Sequence, residues 1–204
     1  MTWSRIQNTH IFKECVQRME ENNLLYHNVS HIQDMYQYLE DIQEPYSEEL
    51  DLAVVSHDVV YDNLPNKEQR SAEYFLSLYD EYKETDNLIA DPDDVYNKIM
   101  ATYDHKIYDQ KTQSAIIRAD LHGFMNNLTA FKNFNLIMTE SCELYGIDDY
   151  KFCRESQDFL DKLSLICKRN ADIDRAYMRS HLKIEEGILF TIMFTRHILI
   201  DSLR

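Results

Sequence analysis

The sequence predicts an all-α protein, and three observations carry that expectation. Only three glycines and three prolines occur in 204 residues, too few for the turns that a sheet of several strands needs. Leu, Glu, Lys, Gln, Met and Ala, the residues that lose least on entering a helix, are plentiful. The apolar residues recur at three- and four-residue steps rather than alternating. With 44% hydrophobic residues, one domain of ordinary size with a sizeable core is expected over 1–204.

About eight helices are expected. The first runs from near Arg5 to Glu21, with Ile6, Phe12, Cys15, Val16 and Met19 near helical spacing. The second opens at Ser30, read as an N-cap with Gln33 reaching back, and its apolar face is Ile32, Met35, Tyr36, Leu39 and Ile42. Ser47 starts the third, which carries Leu50, Val54 and His57 and ends before the loop YDNLPN at 61–66. Ala72, Phe75, Leu76 and Tyr79 mark the fourth. Asp91-Pro92 is an N-cap and first-turn pair for a fifth through Val95, Ile99 and Met100. After a loop at His105–Asp109, a sixth passes through Ile116, Ile117, Asp120 and Leu121. The remainder divides near Gly146 and near Asn170–Asp172 into two or three long helices. The last of them places Ile184, Ile188, Leu189, Ile192, Met193, Leu199 and Leu203 on one side, with Phe190, Phe194, Ile198 and Ile200 on others. It is too apolar all round for a surface helix, so it is expected to be buried within its own domain, with a homodimer interface as the second reading.

Charge and cysteine usage narrow the function. Thirty-six acidic against twenty-one basic residues give a net charge of −15, which disfavours a polynucleotide or an anionic membrane as partner and leaves small phosphorylated ligands open. Cys15, Cys142, Cys153 and Cys167 show no CxxC spacing, so free thiols in a reducing, cytoplasmic setting are expected. The N-terminal stretch is polar, and no apolar run approaches the ~20 residues that span a bilayer.

The chemistry concentrates in YHNVSHIQDM (26–35), VVSHDVVYD (54–62) and IIRADLHGF (116–124). His31, His57, Asp58 and Asp120 offer two imidazoles and two carboxylates from three expected helices. Such a set suits a divalent metal that keeps water positions open, with Mn, Fe, Co, Ni or Mg preferred over a closed structural zinc. His181 and Glu185 are also four apart on a helix but lack a third ligand, and His10, His122 and His197 belong to no constellation.

Over about residues 24–125, YHNVSHIQDM, LDLAVVSHDVVYD, KEQRSAEYF, IMATYDH and RADLHGF follow one another in an order and spacing that resembles a group of predicted metal-dependent phosphohydrolases of the HD superfamily. The resemblance implies an HD-type helical bundle, with 126–204 as a C-terminal helical extension, and a metal held by His31, His57, Asp58 and Asp120. It also implies a role for His105, which matches a histidine after an Ala-Thr pair. The group carries Asn-Glu before Ser-Ala where this chain has Lys67-Glu68. On this reading Asp62 and Glu68 are candidates to orient or deprotonate a water, and Lys67, Arg70, Lys106 and Arg118 to neutralise phosphate oxygens. His27 is placed beside the metal ligands, as a hydrogen-bond partner behind them, with a ligand to a second metal as the other reading, and is counted among the substrate contacts. The expected function is hydrolysis of a nucleotide or another small phosphate ester. The alternative is a non-enzymatic metal- and nucleotide-binding sensor or sequestering protein that contacts a protein partner.

Overall fold

The computed structural model describes residues 6–201, without the side chains of 110–112, 200 and 201. Among these residues it is all-α: α1 (His10–Asn22), α2 (Val29–Asp41), α3 (Glu48–Ser56), α4 (Lys67–Tyr82), α5 (Pro92–Asp104), α6 (Gln110–Asp120), a 3₁₀ helix (Leu121–Met125), α7 (Asn127–Tyr145), α8 (Asp149–Ile173) and α9 (Arg175–Asp201). Arg5 and Leu203, placed by the sequence in the first and last helices, lie outside the described residues. The chain forms two compact units, Met1–Asp120 and Leu121–Arg204.

In the first unit α3 is the central element. It packs against α1, α2, α4, α5 and α6, and every residue from Leu50 to Ser56 is buried. A helix surrounded on all sides has no use for an amphipathic pattern, which is why LDLAVVS is apolar almost throughout. The N-caps are local and chemical. Ser47 accepts from Leu50 N, Thr9 from Phe12 N and Asp91 from Asp93 N, with Pro92 in the first turn.

The start of α2 differs from the sequence expectation. Asn28, not Ser30, is the cap: its Oδ1 accepts from Ser30 N at 2.8 Å, while its amide donates to the carbonyls of Leu24 and Leu25. An amide side chain can fasten the incoming chain and the first helical turn at once, which a serine hydroxyl cannot. The helix therefore begins a turn-fraction earlier and draws His31 into its first turn.

In the second unit α8 and α9 are joined through Asp174 alone. Its backbone N–H donates to Asn170 O, and its carboxylate accepts from the backbone of Ala176 and Tyr177, so one residue ends one helix and starts the next. Tyr177 with Cys167, Lys168 with Glu185 and Gln157 with Thr195 then pair the two helices antiparallel. Ile184, Ile188 and Ile192 form the buried stripe of α9. Gly187 explains itself by contact: a Cβ there would lie 1.8 Å from the Phe124 carbonyl oxygen, so the 3₁₀ turn crosses α9 where only hydrogen fits.

All four cysteines are free. No helix among the described residues is long and apolar enough to cross a membrane.

Candidate metal centre

The first unit brings five of the expected site residues together. His31 comes from the first turn of α2, His57 is the C-cap of α3 with Asp58 next to it, His105 is the C-cap of α5, and Asp120 closes α6. Two helix C-caps and the last residue of a third helix therefore meet at one place. Each such end carries partial negative charge from unpaired carbonyls, and two carboxylates add to it, so the locus favours a cation.

The distances make the cluster specific. His31 Nε2 lies 3.3 Å from Asp120 Oδ1 and 4.0 Å from Asp58 Oδ2. His57 Nε2 lies 2.9 Å from Asp58 Oδ2 and 3.8 Å from Asp120 Oδ1. One ligand atom each from His31, His57 and Asp120 fits within 4.8 Å, and the group could hold a metal ion. His31, His57 and Asp58 are buried.

The hydrogen bonds behind the cluster decide what it can bind. His57 Nδ1 lies 2.9 Å from the Val54 carbonyl; the carbonyl can only accept, so Nδ1 carries the proton and Nε2 of the neutral ring presents a lone pair to the centre. That lone pair faces the Asp58 carboxylate. Two acceptors at 2.9 Å repel unless a proton or a cation stands between them. Neither His31 Nε2 nor His57 Nε2, both buried, makes a hydrogen bond of acceptable geometry. Two buried, unpartnered imidazole nitrogens turned toward two carboxylates fit the ligand set of a divalent ion.

Without an ion the cluster holds protons instead. Burial lowers the His57 pKa, but the neighbouring carboxylates of Asp58 and Asp120 outweigh it and raise the imidazole to about 9. The same attraction works in reverse on the acids. Burial raises Asp58, yet His57 holds it far below the usual carboxylate range. Burial likewise raises Asp120, and the imidazoles of His105, His31 and His57 hold it well down.

His105 stands behind Asp120. Its Nε2 lies 3.0 Å from Asp120 Oδ2, while Oδ1 is the oxygen nearer His31 and His57. To reach that position His105 adopts a left-handed backbone, φ 55°, at a cost of roughly 1 kcal/mol for a residue with a Cβ. The sequence points to His105 only through the resemblance; the structure gives it a partner.

The remaining expected site residues divide. His27 stacks on Tyr61, ring centroids 3.8 Å apart, and its ring centroid lies 6.2 Å from that of His31. Lys67 Nζ sits 3.6 Å from the Tyr61 centroid. Tyr61 thus links two candidates, a role the sequence analysis did not give it. The signal was present in VVYD, where an aromatic follows the His-Asp doublet before a loop. Asp62 is taken up by Arg70, which donates to both carboxylate oxygens at 2.8 and 2.6 Å and also to the carbonyls of Leu64 and Pro65. Arg70 is therefore the clamp of the 61–66 loop. Arg118 is ion-paired with Glu44 at 2.8 Å and Lys106 with Asp104 at 3.1 Å. Each of these three cations is already held by a carboxylate. Glu68 sits half-buried in the first turn of α4. His181 and Glu185 lie 4.0 Å apart, with Glu185 also paired to Lys168, and no further ligand joins them among the described residues.

Compared with protein-family models, curated proteins and solved structures, the chain finds no match, and the cluster is interpreted from its own geometry.

Proposed function

We propose that the chain is a metal-dependent phosphohydrolase acting on a nucleotide or another small phosphate ester. The observation that carries this reading is the pair of buried, unpartnered imidazole nitrogens of His31 and His57, facing the carboxylates of Asp58 and Asp120. When bound there, a divalent ion supplies Lewis acidity toward a phosphate oxygen and lowers the pKa of a coordinated water. Val54 fixes the His57 tautomer and His105 fixes Asp120, so the ligand set is oriented in advance. Four protein ligands leave positions open in a six-coordinate ion, and the hard carboxylates favour Mn, Fe, Co, Ni or Mg.

Beside the ligands, the His27–Tyr61–Lys67 stack offers an aromatic face and a cation to an anionic substrate. Glu68, next to Lys67 on α4, is the candidate base. The net charge of −15 disfavours polyanionic substrates and is compatible with a small one neutralised by the ion.

Elemental analysis of protein purified without chelator, combined with phosphate release from a nucleotide panel in Mn²⁺, Mg²⁺, Co²⁺ or Ni²⁺, tests the proposal. About one ion per chain and turnover are expected, with both lost in Asp58→Ala. Metal content unchanged by Asp58→Ala sinks the centre; metal retention without turnover on any substrate leaves a binding protein.

A further inference from the structure

Four large apolar side chains of α9 lie open to solvent: Met178 (51% exposed), Leu182 (62%), Leu189 (49%) and Met193 (71%). At 3.6 residues per turn they fall within an arc of about 60°, away from the buried Ile184–Ile188–Ile192 stripe. The helix thus has two apolar faces, and packing inside the second unit accounts for one.

The exposed face has an internal symmetry. Met178 and Met193 are equidistant from a point between Glu185 and Glu186, and so are Leu182 and Leu189. A stripe that reads Met-Leu-Leu-Met in either direction is self-complementary under a two-fold rotation, which is the requirement of an isologous interface. We propose that this face of α9 is a homodimer interface in which two copies of the helix pair antiparallel about an axis between Glu185 and Glu186.

In that register Met178 meets Met193 of the second copy and Leu182 meets Leu189, like packing on like. The flanking charges agree. Glu186 and Lys183, both exposed, lie on the same flank of the stripe, and antiparallel pairing brings Glu186 of each copy beside Lys183 of the other. Glu185, at the axis, is already neutralised by Lys168 at 2.8 Å. Arg175 and Arg196 face one another at the solvent-exposed ends, where salt screens them. The chain's acidity does not oppose this contact as it opposes others: Arg175–Asp201 carries Arg175, Arg179, Lys183 and Arg196 against Glu185, Glu186 and Asp201, in a protein of net charge −15. Four apolar side chains per copy along ~22 Å of helix make a small interface, so a dimer in the micromolar range is expected.

Sedimentation equilibrium of the full chain decides the question. The expected result is a concentration-dependent rise from 24.4 kDa toward twice that mass. Leu182→Glu, an exposed position, should weaken association about tenfold or more with the helical circular dichroism unchanged. Lys183→Glu should weaken it, and adding Glu186→Lys should restore it. Glu186→Cys, beside the axis, should cross-link on oxidation beyond the wild-type level, and this variant decides the matter if Leu182→Glu fails to fold. A monomer at all concentrations up to about 1 mM overturns the proposal, whatever else covers the face. A dimer indifferent to Leu182→Glu overturns the surface, and failure of the double charge exchange to restore pairing overturns the antiparallel register.

Discussion

His105 shows how much one side chain can be asked to do. It ends α5 in a left-handed conformation that glycine or asparagine adopts more readily, and its Nε2 holds the outer oxygen of Asp120 at 3.0 Å. His105→Asn keeps a residue tolerant of that backbone and shortens the reach to Asp120. Metal affinity measured by titration calorimetry should fall ~10–100-fold, with the thermal midpoint of the metal-free protein little changed. Equal loss of both would make His105 a packing residue only. Glu68 makes the complementary case. Glu68→Gln keeps the side-chain volume and removes the base, so hydrolysis should drop by ~10²-fold or more while metal content stays that of the wild type. Unchanged turnover would remove Glu68 from the chemistry, and Asp62, occupied on both oxygens by Arg70, is poorly placed to replace it.

At the scale of the element, the loop between α3 and α4 is the informative piece. Asn66 precedes α4 in a left-handed conformation and makes no side-chain cap bond, so the helix start is held by the Arg70 clamp instead. Hydrogen bonds from Arg70 are the first reason that Asp62 sits at about 2, below its usual 3.8. A depressed folded pKa stabilises the protein above the unfolded value, and the contribution disappears as pH falls through the folded one. The urea midpoint of wild type should therefore exceed that of Asp62→Asn by a constant amount above about pH 4, and the gap should close between there and pH 2. The effect will be modest, because the Asp62 side chain is 42% exposed and water screens the pair. A gap independent of pH would mean that the loop is held by shape rather than charge.

Elements of this kind also mark what the sequence could and could not disclose. The Ser47, Asp91 and Gly146 boundaries were readable because a cap or a stop is a property of a few adjacent residues. The start of α2 was misassigned because Asn28 and Ser30 are both good caps, and the choice rests on the carbonyls of Leu24 and Leu25, which only the folded turn presents. That His31, His57 and Asp120 could share an ion was accessible through residue type and order. The clamp on Asp62, the Glu44 partner of Arg118 and the Tyr61 stack depend on contacts between elements, on which local sequence carries no information.

For the whole molecule, the second unit sets the sensitivity to truncation. Ile184, Ile188 and Ile192 are buried against their surroundings in that unit, and α9 packs along the length of α8. Deleting 182–204 removes most of the helix that packs against α8, along with the buried Ile184, Ile188 and Ile192. Several lost side chains at roughly 2–5 kcal/mol each exceed the total stability of an ordinary domain. The truncated chain should be insoluble, or soluble with helical circular dichroism but no fixed aromatic signal. A cooperatively unfolding monomer that keeps its metal would instead make α9 a detachable arm, and would favour a protein that works by engaging partners.

The convergence of His31, His57 and Asp120 has a consequence for how the chain comes to be folded at all. Its outermost members are separated by about 90 residues, so an ion bridging them closes a long loop whose entropy the disordered chain would otherwise keep. Such an ion behaves as a removable staple, with a strength set by free metal concentration rather than by any covalent bond. If an ion is held there, the durability of the first unit becomes a property of its surroundings as much as of its sequence, and a medium that withholds the ion withholds that closure.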